Sequence, residues 1–140
     1  MGMDDAIDAL FVTVKDELIA LIDRFDHPLV TCCWDSGHAR LAFTRAGMPD
    51  AMRALGSRIT CTHIHDNYYN RDLHVLPFQG DIDWREQMAT LKEIGYKGDL
   101  SFETVRTPRT VAKFDPELVQ PWLDLICKTG ESFRRKILEG

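Results

Sequence analysis

The order of its apolar segments constrains the fold of this 140-residue chain more than any other feature. Three strand-like runs, predicted near residues 29–34, 59–65 and 99–103, are separated from one another by segments with helical periodicity. Strands that are joined through helices form parallel sheets with right-handed crossovers. The sequence therefore predicts an α/β fold, and its length suits a single domain over residues 1–140.

The predicted helices are bounded by caps and helix breakers. An apolar stripe predicts a first helix from Asp4 to about Phe25, which ends at a proline because the residue before a proline avoids helical geometry. In the third helical segment, Asp83 precedes Glu86 at capping-box spacing. The last segment starts with the pair Asp115-Pro116. The later helical segments are expected at about Pro49 to Leu55, from Asp83 to about Ile94, and from Asp115-Pro116 onward.

Composition narrows the class of protein. The formal net charge of −5 argues against broad nucleic-acid affinity, because such affinity requires neutralisation of phosphates. No apolar run approaches the length of a membrane span and no secretory start is present, so we expect a cytoplasmic protein without membrane contact. Three of the four cysteines lie in apolar strand-like runs, which predicts buried free thiols at Cys32, Cys33 and Cys61.

Histidines and carboxylates gather where the predicted strands end. Four of the five histidines fall within 37 residues, each near an acidic residue, and one further acid follows the third strand. Imidazole and carboxylate are ligands that zinc and manganese accept. The stretches are W-D-S-G-H with Asp35 and His38, H-I-H-D-N with His63, His65 and Asp66, R-D-L-H with Asp72 and His74, and L-S-F-E-T with Glu103.

Strand geometry brings part of this set together. Side chains alternate along a strand, so His63 and His65 share one face of the second strand. Neighbouring parallel strands lie about 4.8 Å apart, so Asp35, His63 and Glu103 are expected to converge on one divalent ion. The carboxyl edge of the strands is also where α/β proteins build their sites.

Other members of the set allow two interpretations. His65 and Asp66 either orient His63 or are polar loop residues. Asp72 and His74 either bind a second metal or the substrate, or only order their loop. Taken one at a time, Asp35, His63 and Glu103 would each be interpreted as a cap, a surface group or a hydrogen-bonded core residue.

These stretches resemble the xylose isomerase-like TIM-barrel superfamily, which contains sugar isomerases, sugar epimerases and AP endonucleases of the endonuclease IV type. The most specific stretch, R-D-L-H-V-L-P-F-Q-G-D-I-D-W, resembles the D-x-H-x-x-P-G-x-G-x-I-D-W loop of the sugar phosphate isomerase/epimerase-like branch, with Phe78 where glycine is often found. The resemblance runs from about Leu18 to Lys136. It implies a partial TIM barrel, about the last three βα units with an extra N-terminal helix, because a full barrel takes about 250 residues.

The resemblance also implies residue roles. Asp35, His63 and Glu103 match metal ligands of the isomerase-type site, and Glu103 and His38 match catalytic positions. In nuclease-type relatives, further metal ligands are matched by His38, Asp72 and His74. The residues expected to contact substrate are His38, His65 and Arg71.

The implied function is a metal-dependent isomerase or epimerase of a sugar, sugar phosphate or polyol, in sugar metabolism, with proton transfer through an enediolate. The divalent metal would be Mn, Zn, Mg or Co. A second acid/base glutamate of the family has no counterpart in this chain, so we expect self-association or an N-terminal half-barrel partner. Two alternatives stay open: a metal-dependent phosphodiesterase of the endonuclease IV type, and a non-catalytic half-barrel that completes a partner.

Overall fold

The computed structural model describes residues 15–68 and 70–139, without the side chains of the last two. The start of the helix predicted from Asp4 lies outside the described residues, and its described part ends at Phe25 as expected. Short 3-10 turns at Gly56–Arg58 and Pro116–Leu118 precede the second strand and the last helix. In chain order the other elements are α1 (residues 15–25), β1 (Cys32–Asp35), α2 (Ser36–Ala42), α3 (Gly47–Leu55), β2 (Ile59–Ile64), β3 (Asp66–Tyr68), β4 (Arg71–Val75), α4 (Trp84–Glu93), β5 (Leu100–Phe102), α5 (Arg106–Phe114) and α6 (Val119–Glu139).

The three predicted strands form one parallel sheet in the order β1-β2-β5. This sheet confirms the α/β prediction. Asp35 pairs in register with His63, which pairs on its other side with Ser101. The ladder extends one residue past β5, because the N–H of Glu103 donates to the carbonyl oxygen of Ile64 at 3.1 Å. The ends of all three strands therefore lie side by side.

One face of the sheet is covered and the other is open. Trp34 and Ile64 point into the core, where they pack with residues of α3, α4 and α6 such as Met52, Leu91 and Phe133. The opposite face carries side chains that alternate with these. Three strands are too few to close a barrel over that face.

The open face overturns the expectation for two of the cysteines. Cys32 is buried as predicted, but Cys33 and Cys61 are exposed because they point away from the helices. Ser101 on β5 shares this exposed face. An apolar run does not reveal that only one of its two faces will be covered.

The first strand starts later than expected. Residues 27–29 turn instead of extending, since the carbonyl of His27 accepts from the N–H of Val30 at 2.9 Å, and Leu29 is left 85% exposed. The cap of α4 is confirmed, because the Asp83 side chain accepts from the N–H groups of Arg85 and Glu86 at 3.1 Å each. Helices α2 and α5 and the antiparallel hairpin of β3 and β4 were not predicted. No helix in the described part of the chain has the length and apolar character needed to cross a bilayer.

Candidate metal centre

The W-D-S-G-H stretch forms the junction between β1 and α2. Asp35 caps the helix, and its Oδ1 accepts from the N–H of His38 at 2.8 Å. The Ser36 hydroxyl donates to the carbonyl oxygen of His65 at 2.7 Å and accepts from the His65 N–H at 3.0 Å. Gly37 packs directly against the His65 ring. This short sequence therefore ties the end of β1 to the end of β2.

Asp35 is the central carboxylate of the site. His65 Nε2 lies 2.9 Å from Asp35 Oδ1, and His38 Nδ1 lies 2.9 Å from Asp35 Oδ2. Burial alone would raise the pKa of Asp35, but the hydrogen bonds from the His65 side chain and the His38 backbone outweigh it and lower the pKa to about 2. Asp35 is therefore ionised at neutral pH and available to a cation.

The three residues predicted to converge do lie together. His63 Nδ1 is 3.4 Å from Asp35 Oδ2 and 3.3 Å from Glu103 Oε1. His63 and Glu103 are partly exposed, toward the open side of the sheet. Their assignment as metal ligands stays a prediction, since adjacency alone does not identify an ion.

The β4 strand adds Asp72 and His74 to the same cluster. His74 Nε2 lies 3.1 Å from Asp72 Oδ1, and His38 Nε2 lies 3.6 Å from Asp72 Oδ2. His74 also reaches Glu103, with Nδ1 3.8 Å from Oε2, and its ring stacks on that of His65 with centroids 3.8 Å apart. Asp72 and His74 on β4 therefore extend the cluster of side chains at the ends of the three parallel strands.

Asn67 positions the hairpin of β3 and β4, and it was not among the predicted site residues. It is fully buried, and its Oδ1 accepts from the N–H groups of Leu73 at 2.6 Å and His74 at 3.2 Å. The second contact helps His74 to hold a left-handed backbone with φ of 50°. Its only signal in the sequence is its place directly after Asp66.

Asp66 anchors the following loop, and its carboxyl group makes no hydrogen bond with Asp35, His63 or Glu103 in the described part of the chain. Its buried carboxyl group accepts from the N–H groups of Asn67, Phe78 and Ile82 at 2.9, 2.9 and 3.2 Å. The Trp84 indole donates a fourth hydrogen bond at 2.7 Å. Between the two interpretations of Asp66, these contacts favour the role in loop ordering.

His65 and Arg71 differ in their surroundings. His65 is fully buried, with Nε2 on Asp35, so its contacts orient Asp35. Arg71 lies exposed at the hairpin turn, in register with Tyr68, and its side chain has no hydrogen bond or ion pair with a described residue. Substrate contact by either residue stays a prediction.

The donor set suits a divalent cation. Among the described residues, two groups offer one ligand atom per residue within 4.8 Å of one another: His38, His65 and His74 form one, and Asp35, His65 and Glu103 the other. Imidazole nitrogens mixed with carboxylate oxygens fit zinc, manganese or cobalt better than calcium. The donor types therefore fit a divalent metal, but His65, and not the predicted His63, completes the group with Asp35 and Glu103.

Comparison with known proteins gives this arrangement a context. Residues 7–123 match the family model of the xylose isomerase-like TIM barrel. A solved structure of a D-tagatose 3-epimerase-like protein superposes with a TM-score of 0.57 and 25% identity, over 82% of this chain and 42% of that one. The α/β fold is therefore a partial TIM barrel, as predicted.

Two uncharacterised proteins are also similar in sequence. The protein y4fM of Sinorhizobium fredii is 37% identical over 60% of this chain and 26% of its own length. The protein MJ1311 of Methanocaldococcus jannaschii is 29% identical over 79% of this chain and 37% of its own length. The chain spans well under half the length of these relatives. The matching model covers most of the chain, which therefore belongs to the xylose isomerase-like TIM barrel family.

Proposed function

We propose that this chain carries the carboxyl-terminal part of a divalent-metal site for isomerisation or epimerisation of a sugar, sugar phosphate or polyol. One observation carries the proposal: Asp35, His63 and Glu103 meet at the carboxyl edge of three adjacent parallel strands. Membership of the family and the likeness to a D-tagatose 3-epimerase-like protein support the reaction class.

Each residue has a defined task in this proposal. A bound Mn, Zn, Mg or Co ion would polarise the carbonyl and adjacent hydroxyl of the sugar. Asp35, ionised and held by two histidine contacts, provides fixed negative charge for the ion. Glu103, partly exposed beside His63, removes or returns the proton next to the carbonyl. His38, with half of its side chain exposed, donates to a substrate oxygen.

Strands outside this chain complete the proposed site. A second acid/base group is needed on the other face of the substrate, and we assign it to an N-terminal half-barrel or to a second copy. The exposed face with Cys33, Cys61 and Ser101 supports such an association, since in a closed barrel this face points inward.

Metal content and hydrogen exchange test the proposal together. Samples of the purified chain are loaded separately with manganese, zinc, magnesium and cobalt, and bound metal is measured by elemental mass spectrometry. Ketohexoses including D-tagatose are then incubated with the loaded chain in D2O and followed by NMR. We expect about one or more equivalents of metal, and deuterium beside the carbonyl in the assembly that is active. Failure to bind any of the four metals contradicts the proposal.

Variants of two glutamates separate the role of Glu103 from general effects. Glu103→Gln is expected to abolish deuterium incorporation, because the amide cannot accept the proton. Glu131→Gln removes a carboxylate from the exposed side of α6 and is expected to leave incorporation unchanged. Equal incorporation in Glu103→Gln and the unaltered chain excludes the proposed proton transfer.

A second candidate function is phosphodiester hydrolysis of the endonuclease IV type. Its specific support is that His38, Asp72 and His74 adjoin Asp35 and Glu103 in one cluster, which offers donors for more than one ion. Cleavage of an abasic-site duplex by zinc-loaded protein, lost in His74→Ala, would favour this function. Absence of cleavage together with sugar turnover would dismiss it.

The third candidate is a non-catalytic half-barrel that completes a partner. The open inner face supports it as well as it supports the enzyme. It predicts metal binding with no deuterium incorporation in any assembly. Turnover by a complex that loses activity in Glu103→Gln would rule it out.

A further inference from the structure

A cavity opens directly beside the candidate metal centre. Its volume is about 320 Å³, which is at the lower end of the range of about 300–1,000 Å³ for small-molecule sites. His74 and Glu103 line one side, and the other side is formed by α5, which contributes Arg106, Arg109 and Lys113. A ligand in this cavity would therefore touch both the helix and two residues of the centre.

The three cations follow one face of the helix. Arg106, Arg109 and Lys113 are spaced by three and four residues, which aligns their side chains along α5. All three are exposed, and none forms an ion pair with a carboxylate whose side chain the structure describes. Some arginines elsewhere in the described part of the chain do form ion pairs, for example Arg40 with Asp81 and Arg58 with Asp23.

This stripe of cations is unfavourable for the helix itself. The first turn of α5 contains no acidic residue, and its cap residue, Val105, makes no side-chain hydrogen bond. The positive end of the helix dipole lies at Arg106, so a cation there is repelled. Arg109 and Lys113 also repel each other at a spacing of four residues. Lys113 lies in the last turn, where the dipole favours a cation, so the cost falls on Arg106 and on the pair of Arg109 and Lys113. Cations placed at such a cost, in a chain with net charge −5, indicate an anionic ligand.

We propose that this cavity binds the phosphate group of a phosphorylated sugar, whose carbons extend to the candidate metal centre. The formal charges of the lining match, since three cations and the Glu103 carboxylate sum to +2, and a phosphomonoester carries about −1.5 to −2. Arginine presents a fork of N–H donors that suits phosphate oxygens. The inference rests on the proposed function, because it takes the sugar end of the ligand from that site.

Calorimetric titration of the manganese-loaded protein with fructose 6-phosphate and fructose tests the subsite. The unaltered protein is expected to bind the phosphorylated sugar at least about tenfold more tightly, as charge-assisted hydrogen bonds would give. The double variant Arg106→Gln/Arg109→Gln is expected to lose that preference. Arg85→Gln removes one exposed cation from α4 as a matched control and is expected to keep it.

Further ligands identify the anion. D-gluconate provides a carboxylate and a thymidine dinucleotide provides a phosphodiester. Tighter binding of either than of fructose 6-phosphate overturns the assignment, as does an equal affinity for fructose and its phosphate. A preference that survives in the double variant places the phosphate elsewhere and also overturns it. Circular dichroism checks folding, and each single variant is expected to show part of the loss if the double variant is unfolded.

Titration with inorganic phosphate in the absence of metal separates this inference from the proposed function. Phosphate binding that disappears in the double variant supports the subsite even if no metal binds. Metal binding with no preference for the phosphorylated sugar leaves the proposed function standing and rejects the subsite.

Discussion

The imidazole ring of His65 lies against the α-carbon of Gly37. The ring fills the space that a Cβ at position 37 would occupy. The glycine of the W-D-S-G-H stretch therefore serves the second strand as much as its own helix. It lets α2 start close enough to β2 for the Ser36 hydroxyl to reach the backbone of His65.

Gly37→Ala is expected to displace the His65 ring and break its contact with Asp35. Overpacking of a buried site of this kind lowers the free energy of unfolding by about 1–3 kcal/mol. Urea denaturation would measure this loss. Manganese affinity should fall as well. Gly47→Ala is the control, since its Cβ would meet only Thr44 Oγ1 at 3.1 Å and Phe43 at 3.7 Å. Equal stability of Gly37→Ala and the unaltered protein would contradict the packing.

Asp66→Asn should destabilise the chain by about 3 kcal/mol. Four N–H groups donate to the two carboxylate oxygens of Asp66, and an amide has only one oxygen that can accept from them. Urea denaturation followed by tryptophan fluorescence measures the change, and the Trp84 indole is itself one of the donors. Asp124→Asn, at an exposed position on α6 where the side chain accepts from Gln120, should change stability little. A similar loss in both variants would show that Asp66 is no special anchor.

Phe78 holds a left-handed backbone with φ of 76°, although its side chain is 71% exposed. Phe78→Ala and Phe78→Gly both remove the ring contact with Phe133, but only glycine also removes the Cβ that disfavours this conformation. We expect the glycine variant to be more stable than the alanine variant by about 1 kcal/mol in thermal unfolding. The reverse order would mean that position 78 leaves the left-handed region.

Cys33 should react slowly with iodoacetamide despite its exposure. Partial burial of the thiol and its hydrogen bond with Cys61 raise the pKa of Cys33 to about 12, so very little reactive thiolate is present at pH 7.5. Peptide mass spectrometry after timed labelling compares it with Cys127, which is exposed on α6. Removal of the hydrogen bond in Cys61→Ala should speed the labelling of Cys33. Labelling of Cys33 at the rate of Cys127 in the unaltered chain would refute this.

The strands and their order could be predicted because apolar runs separated by helical periodicity depend only on local pattern. The same pattern located Asp35, His63 and Glu103 at one edge, since their positions follow from strand ends and register. The cap at Asp83 is likewise a local interaction. These features needed no knowledge of distant contacts.

Long-range contacts explain what was not predicted. Helix α2 begins at a cap, Asp35, for which the set of neighbouring acids and histidines favoured a ligand over a cap, so no helix was predicted there. The loop anchors Asp66 and Asn67 bind residues up to 18 positions away, which spacing does not reveal. The sequence does not record which face of the sheet the helices cover. Cys61 was therefore predicted to be buried from its apolar run, although it lies on the exposed face.

The hydrogen bonds of Asn67 bear on how fast ligands exchange. The backbone N–H groups of Leu73 and His74 both donate to the buried Oδ1 of Asn67. We therefore expect the hairpin that carries Asp72 and His74 to move with β2 and not as a separate flap. Both amides should therefore exchange with solvent only as slowly as the core opens. In the proposed site, a metal or substrate would then enter across the uncovered side of the sheet, and its residence time would be governed by what closes that side, not by fluctuation of the hairpin.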